Sequence, residues 1–246
     1  MDVLYVVGRH LSQWNDNELR YSLRSIEKNA RNLGRVFIAG YCPPFVNRDA
    51  VTYVKVYDET QVKHYNIMHA IEEAVEKTDI GDEFLYSSDD HFYVKPTDFD
   101  AYPFYWRGVM LPREAKTEYH RTLVSTRKLL ECCGLPTFHL AWHGNTHFKR
   151  SLFESERFRL IRKMSYLMPD GCEPTCLMNN YRLAVAPETI QLVERPDCKF
   201  GISTNADQLQ ERVQDREVIS CSDAIAHTVL AEYLQKQFPK KCRFEL

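Results

Sequence analysis

Glu83-Phe84-Leu85-Tyr86-Ser87-Ser88-Asp89-Asp90-His91-Phe92-Tyr93-Val94 is the stretch on which the reading of this 246-residue chain turns. An apolar run, Phe84 to Tyr86, leads into two adjacent carboxylates, and a second run, Phe92 to Val94, follows them. Flanking runs of this kind read as buried strand ends. Two carboxylates held at such an edge repel each other, so something must compensate them. Carboxylate oxygens are the donors that Mg2+ and Mn2+ prefer, and a cation held there neutralises a diphosphate leaving group. The bland alternative is a solvated Asp-Asp turn, so the weight falls on the rest of the chain.

Working outward, the first half alternates strand and helix. Residues 2 to 8 form a near-continuous apolar strand. Asn15-Asp16-Asn17-Glu18 then offers helix-capping residues, and Leu19, Leu23 and Ile26 recur at helical spacing before Asn32-Leu33-Gly34 closes the helix. Arg35 to Gly40 is a second strand, stopped by glycine and then Pro43-Pro44, and Val51 to Val56 a third. Asn66 to Glu76 makes a second helix with Ile67, Ala70, Ile71, Ala74 and Val75 on one side, and Gly81 precedes the strand leading to Asp89 and Asp90. A β-α-β-β-α-β order implies an open, mostly parallel α/β sheet flanked by helices, with ligands beyond the carboxyl ends of its strands. Asp89, Asp90 and the Gly8-Arg9 turn fall at such ends.

After residue 100 the alternation weakens into a mixed region. A basic, helix-like stretch runs from 149 to 167, Tyr181, Leu183 and Val185 and then Ile190, Leu192 and Val193 read as short strands, and residues 222 to 237 form a closing amphipathic helix. We expect a single domain over 1–246.

Composition narrows the function. The hydrophobic fraction of 44% suffices for a substantial core, and a formal charge of −2 gives no drive toward indiscriminate nucleic-acid binding. A local basic groove from Lys149, Arg150, Arg157, Arg159, Arg162 and Lys163 is a separate matter, with a solvated helix face as the alternative. No apolar segment approaches the length of a membrane span, the N-terminus lacks signal-peptide character, and the irregularly spaced cysteines read as reduced thiols. The expectation is a cytoplasmic protein, in the host cytoplasm if phage-encoded; oligomeric state is left open.

Several segments carry a resemblance. They are Met1 to Val6; Asn17-Glu18-Leu19-Arg20-Tyr21-Ser22-Leu23-Arg24-Ser25-Ile26; Arg35 to Ile38 followed by Pro43-Pro44; Asn66-Ile67-Met68-His69-Ala70-Ile71-Glu72; Phe84 to Phe92; His143 with Lys149 and Leu152; and Phe238 to Glu245. In that order they resemble the Stealth family of sugar-phosphate and capsular-polysaccharide transferases, and more broadly the GT-A-fold nucleotide-sugar glycosyltransferases, small phage and bacterial members included. Two departures stand out. Gly8-Arg9-His10 replaces the family's acidic residue after the first strand, and Ser88 sits where many GT-A enzymes carry the first Asp of Asp-x-Asp.

The resemblance implies a nucleotide-sugar-binding half over 1–100 and an acceptor-side half over 101–246, and together with the residues it gives the candidate roles. Asp89 and Asp90 are candidate catalytic and metal residues for Mn2+ or Mg2+, with His69 and His143 as candidate bases, since imidazole titrates near neutral pH. Arg9, Arg20, Arg24, Asn66 and Ser88 are candidate donor ligands; Arg20 and Arg24, four apart, share a helix face and suit a phosphate, or else form ion pairs. Asn66 is equally a helix cap. His91, Trp106 and Trp142 are candidate acceptor contacts, against core packing as the default for tryptophan. His139, His143 and His147 recur every four residues, but Gly144-Asn145 interrupts a helix and no Glu follows the first His, which disfavours a zinc hydrolase.

The function implied is transfer of a sugar from a nucleotide-diphosphate sugar to an acceptor hydroxyl, on a glycan or on a hydroxymethylated pyrimidine in phage DNA. The alternatives are sugar 1-phosphate transfer with release of a nucleoside monophosphate, and a non-catalytic carbohydrate- or nucleotide-binding protein.

Overall fold

A computed structural model of the chain describes residues 1–8, 12–111, 114–195, 198–201, 203–222, 225 and 228–246. The first half runs β1 (Asp2–Val7), α1 (Asn17–Asn29), the two-residue β2 (Ala30–Arg31), β3 (Val36–Gly40), β4 (Thr52–Lys55), α2 (Lys63–Lys77) and β5 (Glu83–Ser87). Apart from β2 this is the expected order. After the Asp89–Asp90 turn come β6 (His91–Tyr93), β7 (Thr97–Asp98), β8 (Phe104–Trp106), α3 (Glu118–Cys132) and β9 (Thr146–Lys149). The chain continues through α4 (Arg150–Phe153), α5 (Glu156–Ser165), α6 (Pro174–Val185), β10 (Leu192–Glu194), β11 (Lys199–Phe200), α7 (Ala206–Gln214), β12 (Val218–Cys221) and α8 (Val229–Gln237).

The main sheet has the order β4-β3-β1-β5-β9. Its first four strands are parallel, and β9 closes one edge antiparallel to β5. The sequence of β1 explains its central place. Leu4 faces a core shared with Met68, Ile71, Ala74 and Val75 of α2. Val3, Tyr5 and Val7 face the opposite core, with Leu19, Leu23 and Ile26 of α1. A strand covered on both faces needs apolar residues at successive positions rather than alternate ones. The chain moves from β1 outward through β3 and β4, then returns past β1 to β5. The order therefore reverses between β1 and β5, and an open α/β sheet offers its ligand crevice at such a reversal.

A smaller layer lies beyond. β6 pairs antiparallel with β12, which pairs with β11. Phe92, Ile219 and Phe200 from these strands join Leu209, Leu230 and Leu234 of α7 and α8 in a third core.

The structure corrects three expectations about elements. Tyr181, Leu183 and Val185 belong to α6 and not to a strand. Every residue from Pro174 to Arg182 is buried, so most of that helix has no solvent face and leaves little helical periodicity to read. The stretch 149–167 is the end of β9 and two helices, the second capped by Ser155, whose side chain accepts from the Phe158 N–H. The closing helix begins at Val229, with Thr228 as its cap; residues 223, 224, 226 and 227 of the expected segment lie outside the described residues. Leu192 and Val193 do form a strand, β10.

Candidate functional site

Asp89 and Asp90 sit at the reversal because β5 delivers them there. Phe84 and Leu85 are fully buried, and β5 is registered on β1 from Asp2 opposite Phe84 to Tyr5 opposite Ser87. The chain then turns into β6. His91 fastens that turn from inside. The Ser88 N–H donates to its Nδ1 at 3.4 Å, so the ring proton lies on Nε2, which faces Asp90 Oδ1 at 3.7 Å. The other Asp90 oxygen accepts from Ser220 Oγ on β12 at 2.8 Å. The His91 carbonyl accepts from Ser22 Oγ of α1 at 2.5 Å. Burial pushes the His91 imidazole down to about 4, and the neighbouring Asp90 charge only partly offsets that. His91 is thus neutral and lies beside Asp90, which Ser220 holds.

Asp89 is the strained member. Burial raises its carboxyl to about 7, and the charges of Asp90 and of Glu18 in the first turn of α1 push in the same direction. Lys63, the first residue of α2, is the cation that opposes them. Glu18 is itself raised, chiefly by burial, despite the 2.7 Å hydrogen bond it accepts from Ser12 Oγ. A fourth carboxylate also feels Lys63. Glu173 caps α6, accepting from the Thr175 N–H at 3.2 Å and its hydroxyl at 2.8 Å. Burial raises Glu173, while Lys63 and His143 lower it. The Tyr86 hydroxyl feels Glu173, Asp90 and Asp89 together. The starts of α1, α2 and α6 thus place Glu18, Lys63 and Glu173 within electrostatic range of the end of β5.

Of the residues named from sequence, Asp89, Asp90, Ser88, His91 and His143 come together here. Others are placed elsewhere. Arg20 and Arg24 do share a face, but that face grips Glu245: Arg20 Nη1 lies 2.8 Å from its Oε2, Arg24 Nε 2.6 Å from Oε1 and Arg24 Nη2 2.8 Å from Oε2. The pair clamps the C-terminal segment, and the expected phosphate role gives way to that ion pair. Asn66 braces the loop before α2, its Oδ1 accepting from the N–H groups of Glu59 and Thr60, both at 3.2 Å. His69 approaches Glu59 of the same loop at 3.6 Å. Trp142 is buried against Tyr105, ring centroids 4.4 Å apart, and Trp106 packs edge-on against Phe138 at 5.2 Å; core packing accounts for both. Arg9 lies outside the described residues. His139 and His147 diverge, one to the Tyr119 hydroxyl at 3.2 Å and the other to the Tyr102 carbonyl at 2.5 Å.

Sequence reasoning missed Lys63, Glu173 and Ser220, and gave Glu18 only a capping or ion-pairing role. A partial signal existed for Lys63, which opens a strongly periodic helix following a parallel strand. Glu173 carried none beyond preceding Pro174, a residue suited to a first helical turn.

The comparisons agree with this architecture. Across 96% of its length the chain superimposes on an active-site mutant of LgtC, covering 95% of that structure with a TM-score of 0.52 and 11% identity. A structure of galactosyltransferase LgtC with donor and acceptor sugar analogs gives the same TM-score of 0.52 at 12% identity, covering 98% of this chain and 96% of that one. The fold is that of the GT-A glycosyltransferases. A curated relative from Nocardia farcinica (strain IFM 10152), named as an exopolysaccharide phosphotransferase, is 34% identical over 88 residues. The match spans 32% of this chain and 17% of the relative. No protein-family model matches the chain.

A divalent cation fits the chemistry of this donor set. Three carboxylates, Glu18, Asp89 and Asp90, repel one another across a partly desolvated turn with Lys63 as the opposing cation. Among the described residues no three His, Cys, Asp or Glu side chains gather closely enough to enclose an ion. One or two carboxylates completed by substrate phosphates is the ordinary arrangement for Mg2+.

Proposed function

We propose that this protein is a glycosyltransferase that moves a sugar from a nucleotide-diphosphate sugar to an acceptor hydroxyl. The observation that carries the reading is the Asp89/Asp90 pair, only partly offset by Lys63, at the strand reversal of an LgtC-like sheet. Asp89 and Asp90 would hold Mn2+ or Mg2+, which when bound neutralises the departing diphosphate. Lys63 adds a fixed positive charge beside them for the donor phosphates, at a helix start that favours anions. Ser88 and the loop braced by Asn66 and His69 complete the donor side. His143, within electrostatic range of both His91 and Glu173, takes the proton from the acceptor hydroxyl. The half comprising 1–100 thus serves the donor, and 101–246 brings the base and Glu173.

The test is release of a nucleoside diphosphate from a panel of nucleotide sugars with Mn2+ or Mg2+, preceded by a screen of donors for thermal stabilisation. Asp90→Ala abolishes turnover on this reading, and full activity in that variant removes it. A cytoplasmic location is expected and checked by fractionation.

The 88-residue match favours a second reading, sugar 1-phosphate transfer. It breaks the pyrophosphate, so chromatography of the nucleotide product separates the two, monophosphate against diphosphate. Donor binding without any product supports the non-catalytic alternative. A glycan hydroxyl is the acceptor carried forward. The DNA acceptor rested on the basic stretch, where Lys149 pairs with Asp82 and Glu83, Arg150 with Glu154, and buried Arg162 with Glu72.

A further inference from the structure

Those ion pairs leave a different surface on the same stretch. Helix α5 turns Phe158, Ile161, Arg162 and Ser165 inward. Its outward side carries an apolar ridge: Leu160 is 56% exposed, Met164 41%, and Leu167, just past the helix end, 81%. These residues follow i, i+4, i+7 spacing, so they line up on one face. Arg157 flanks the ridge on one side and Arg159 and Lys163 on the other, all exposed and none in an ion pair with a described residue. Glu156 is the one acidic residue of the helix. Of the nearby carboxylates, Glu154 is held by Arg150 and Asp170 by Arg121, while Glu72 and exposed Glu76 act on Arg162 at the inner side of the helix.

We infer that this outer face of α5 docks on an anionic lipid surface. The shape and the charge choose the occupant. A convex ridge of three apolar side chains inserts into the boundary between headgroups and acyl chains, and the flanking cations then lie at headgroup depth. Duplex DNA offers the cations phosphates but gives the apolar ridge nothing to bury against. A protein partner requires a complementary groove. A net charge of −2 for the whole chain gives no general attraction to an anionic surface, so any such attraction comes from local basic patches such as this one. The inference stands apart from the transfer reaction, since none of these residues belongs to the Asp89/Asp90 site.

The experiment is flotation of the full chain with phosphatidylcholine vesicles, with and without phosphatidylglycerol. The wild type partitions at least about tenfold more strongly onto the anionic vesicles, and high salt reduces that preference. Leu160→Ser with Leu167→Ser lowers partition about tenfold or more. Arg157→Gln, Arg159→Gln and Lys163→Gln together remove about a hundredfold, at about fivefold per charge. Surface changes of this kind leave the melting temperature nearly unchanged. The wild-type comparison between the two vesicle compositions needs no variant, so equal binding to both overturns the inference by itself. Unimpaired flotation of both variants also overturns it. So does retention by duplex DNA that the serine variant leaves intact, or a concentration-dependent dimer that the serine variant abolishes.

Discussion

Helix α1 carries two charge clusters with opposite fates. On one side Arg20 and Arg24 close on Glu245, whose carboxylate side chain is fully buried. Burial alone would raise that carboxyl, but hydrogen bonds from Arg24 and from the Cys242 N–H hold it below its ordinary value. On the other side Glu18 leans toward Asp89 and Asp90, and there the acids outnumber the nearby cation Lys63. The same helix thus supports a satisfied cluster that fixes the architecture and an unsatisfied one that waits for something positive. Buried charge left unbalanced in a cleft marks chemistry better than charge as such.

The largest effect expected from breaking this contrast is at the acids. Asp90→Ala lowers turnover by at least about a thousandfold, while the fold is kept or slightly stabilised by loss of the repulsion. Asp89→Asn keeps the shape and raises unfolding free energy at pH 8 by about 1–2 kcal/mol. Steady-state kinetics and calorimetry on the same preparations check both. Asp variants that unfold the protein while leaving specific activity intact would reverse the assignment.

Glu245→Ala has the mirror-image outcome. It strands two guanidiniums, Arg24 with only 11% of its side chain exposed. The loss is about 3 kcal/mol, somewhat softened by the greater exposure of Arg20, and reads as a lower urea midpoint. Donor affinity of the folded fraction stays at the wild-type value. If donor affinity fell and the midpoint held, the clamp would be a phosphate site after all.

Much of the contrast was legible in the sequence on the acid side and hidden on the other. β1, α1, β3, β4, α2 and β5 follow from local periodicity, and Asp89-Asp90 at a strand end follows from the runs either side. The partner of Arg20 and Arg24 lies more than two hundred residues along the chain, at Glu245, and no local pattern reports it. Glu173 and Ser220 were invisible for the same reason: each reaches the site through a separate element whose place is set by packing. The helical Tyr181 to Val185 was misread because the preceding turns of the helix, Pro174 to Arg182, are buried throughout and carry no periodicity that distinguishes helix from strand.

Acid titration follows the buried imidazoles on another axis. Burial presses the His64 and His147 imidazoles down to about 4 in the folded protein. The unfolded chain takes up these protons near pH 6.5 and the folded chain does not, so the contribution of these two imidazoles to stability is full above pH 6.5 and declines as pH falls toward 4. Glu245 loses its contribution lower, as pH drops below 4.5 through its depressed value. His147→Gln, which keeps a donor for the Tyr102 carbonyl, flattens the upper decline by about 2 kcal/mol without touching the lower one. Urea midpoints collected from about pH 7 to about pH 4 check this; an unchanged curve would mean His147 is protonated in the fold.

The smallest effect, and the finest discriminator, is at Lys63. It is the cation that both Asp89 and Glu173 feel, yet its side chain is exposed, so it contributes little to stability. Lys63→Met therefore leaves the melting temperature within about 2 °C of wild type. A lysine that merely offset the acids would show nothing further in kinetics. A lysine that holds donor phosphate in ground and transition states alike raises KM for the nucleotide sugar about tenfold with kcat nearly constant. Lys63→Arg recovers most of that loss, because the positive charge rather than ammonium geometry does the holding. The acid cluster would then differ from the Glu245 clamp in kind: its cation serves the substrate, where the arginines serve the fold.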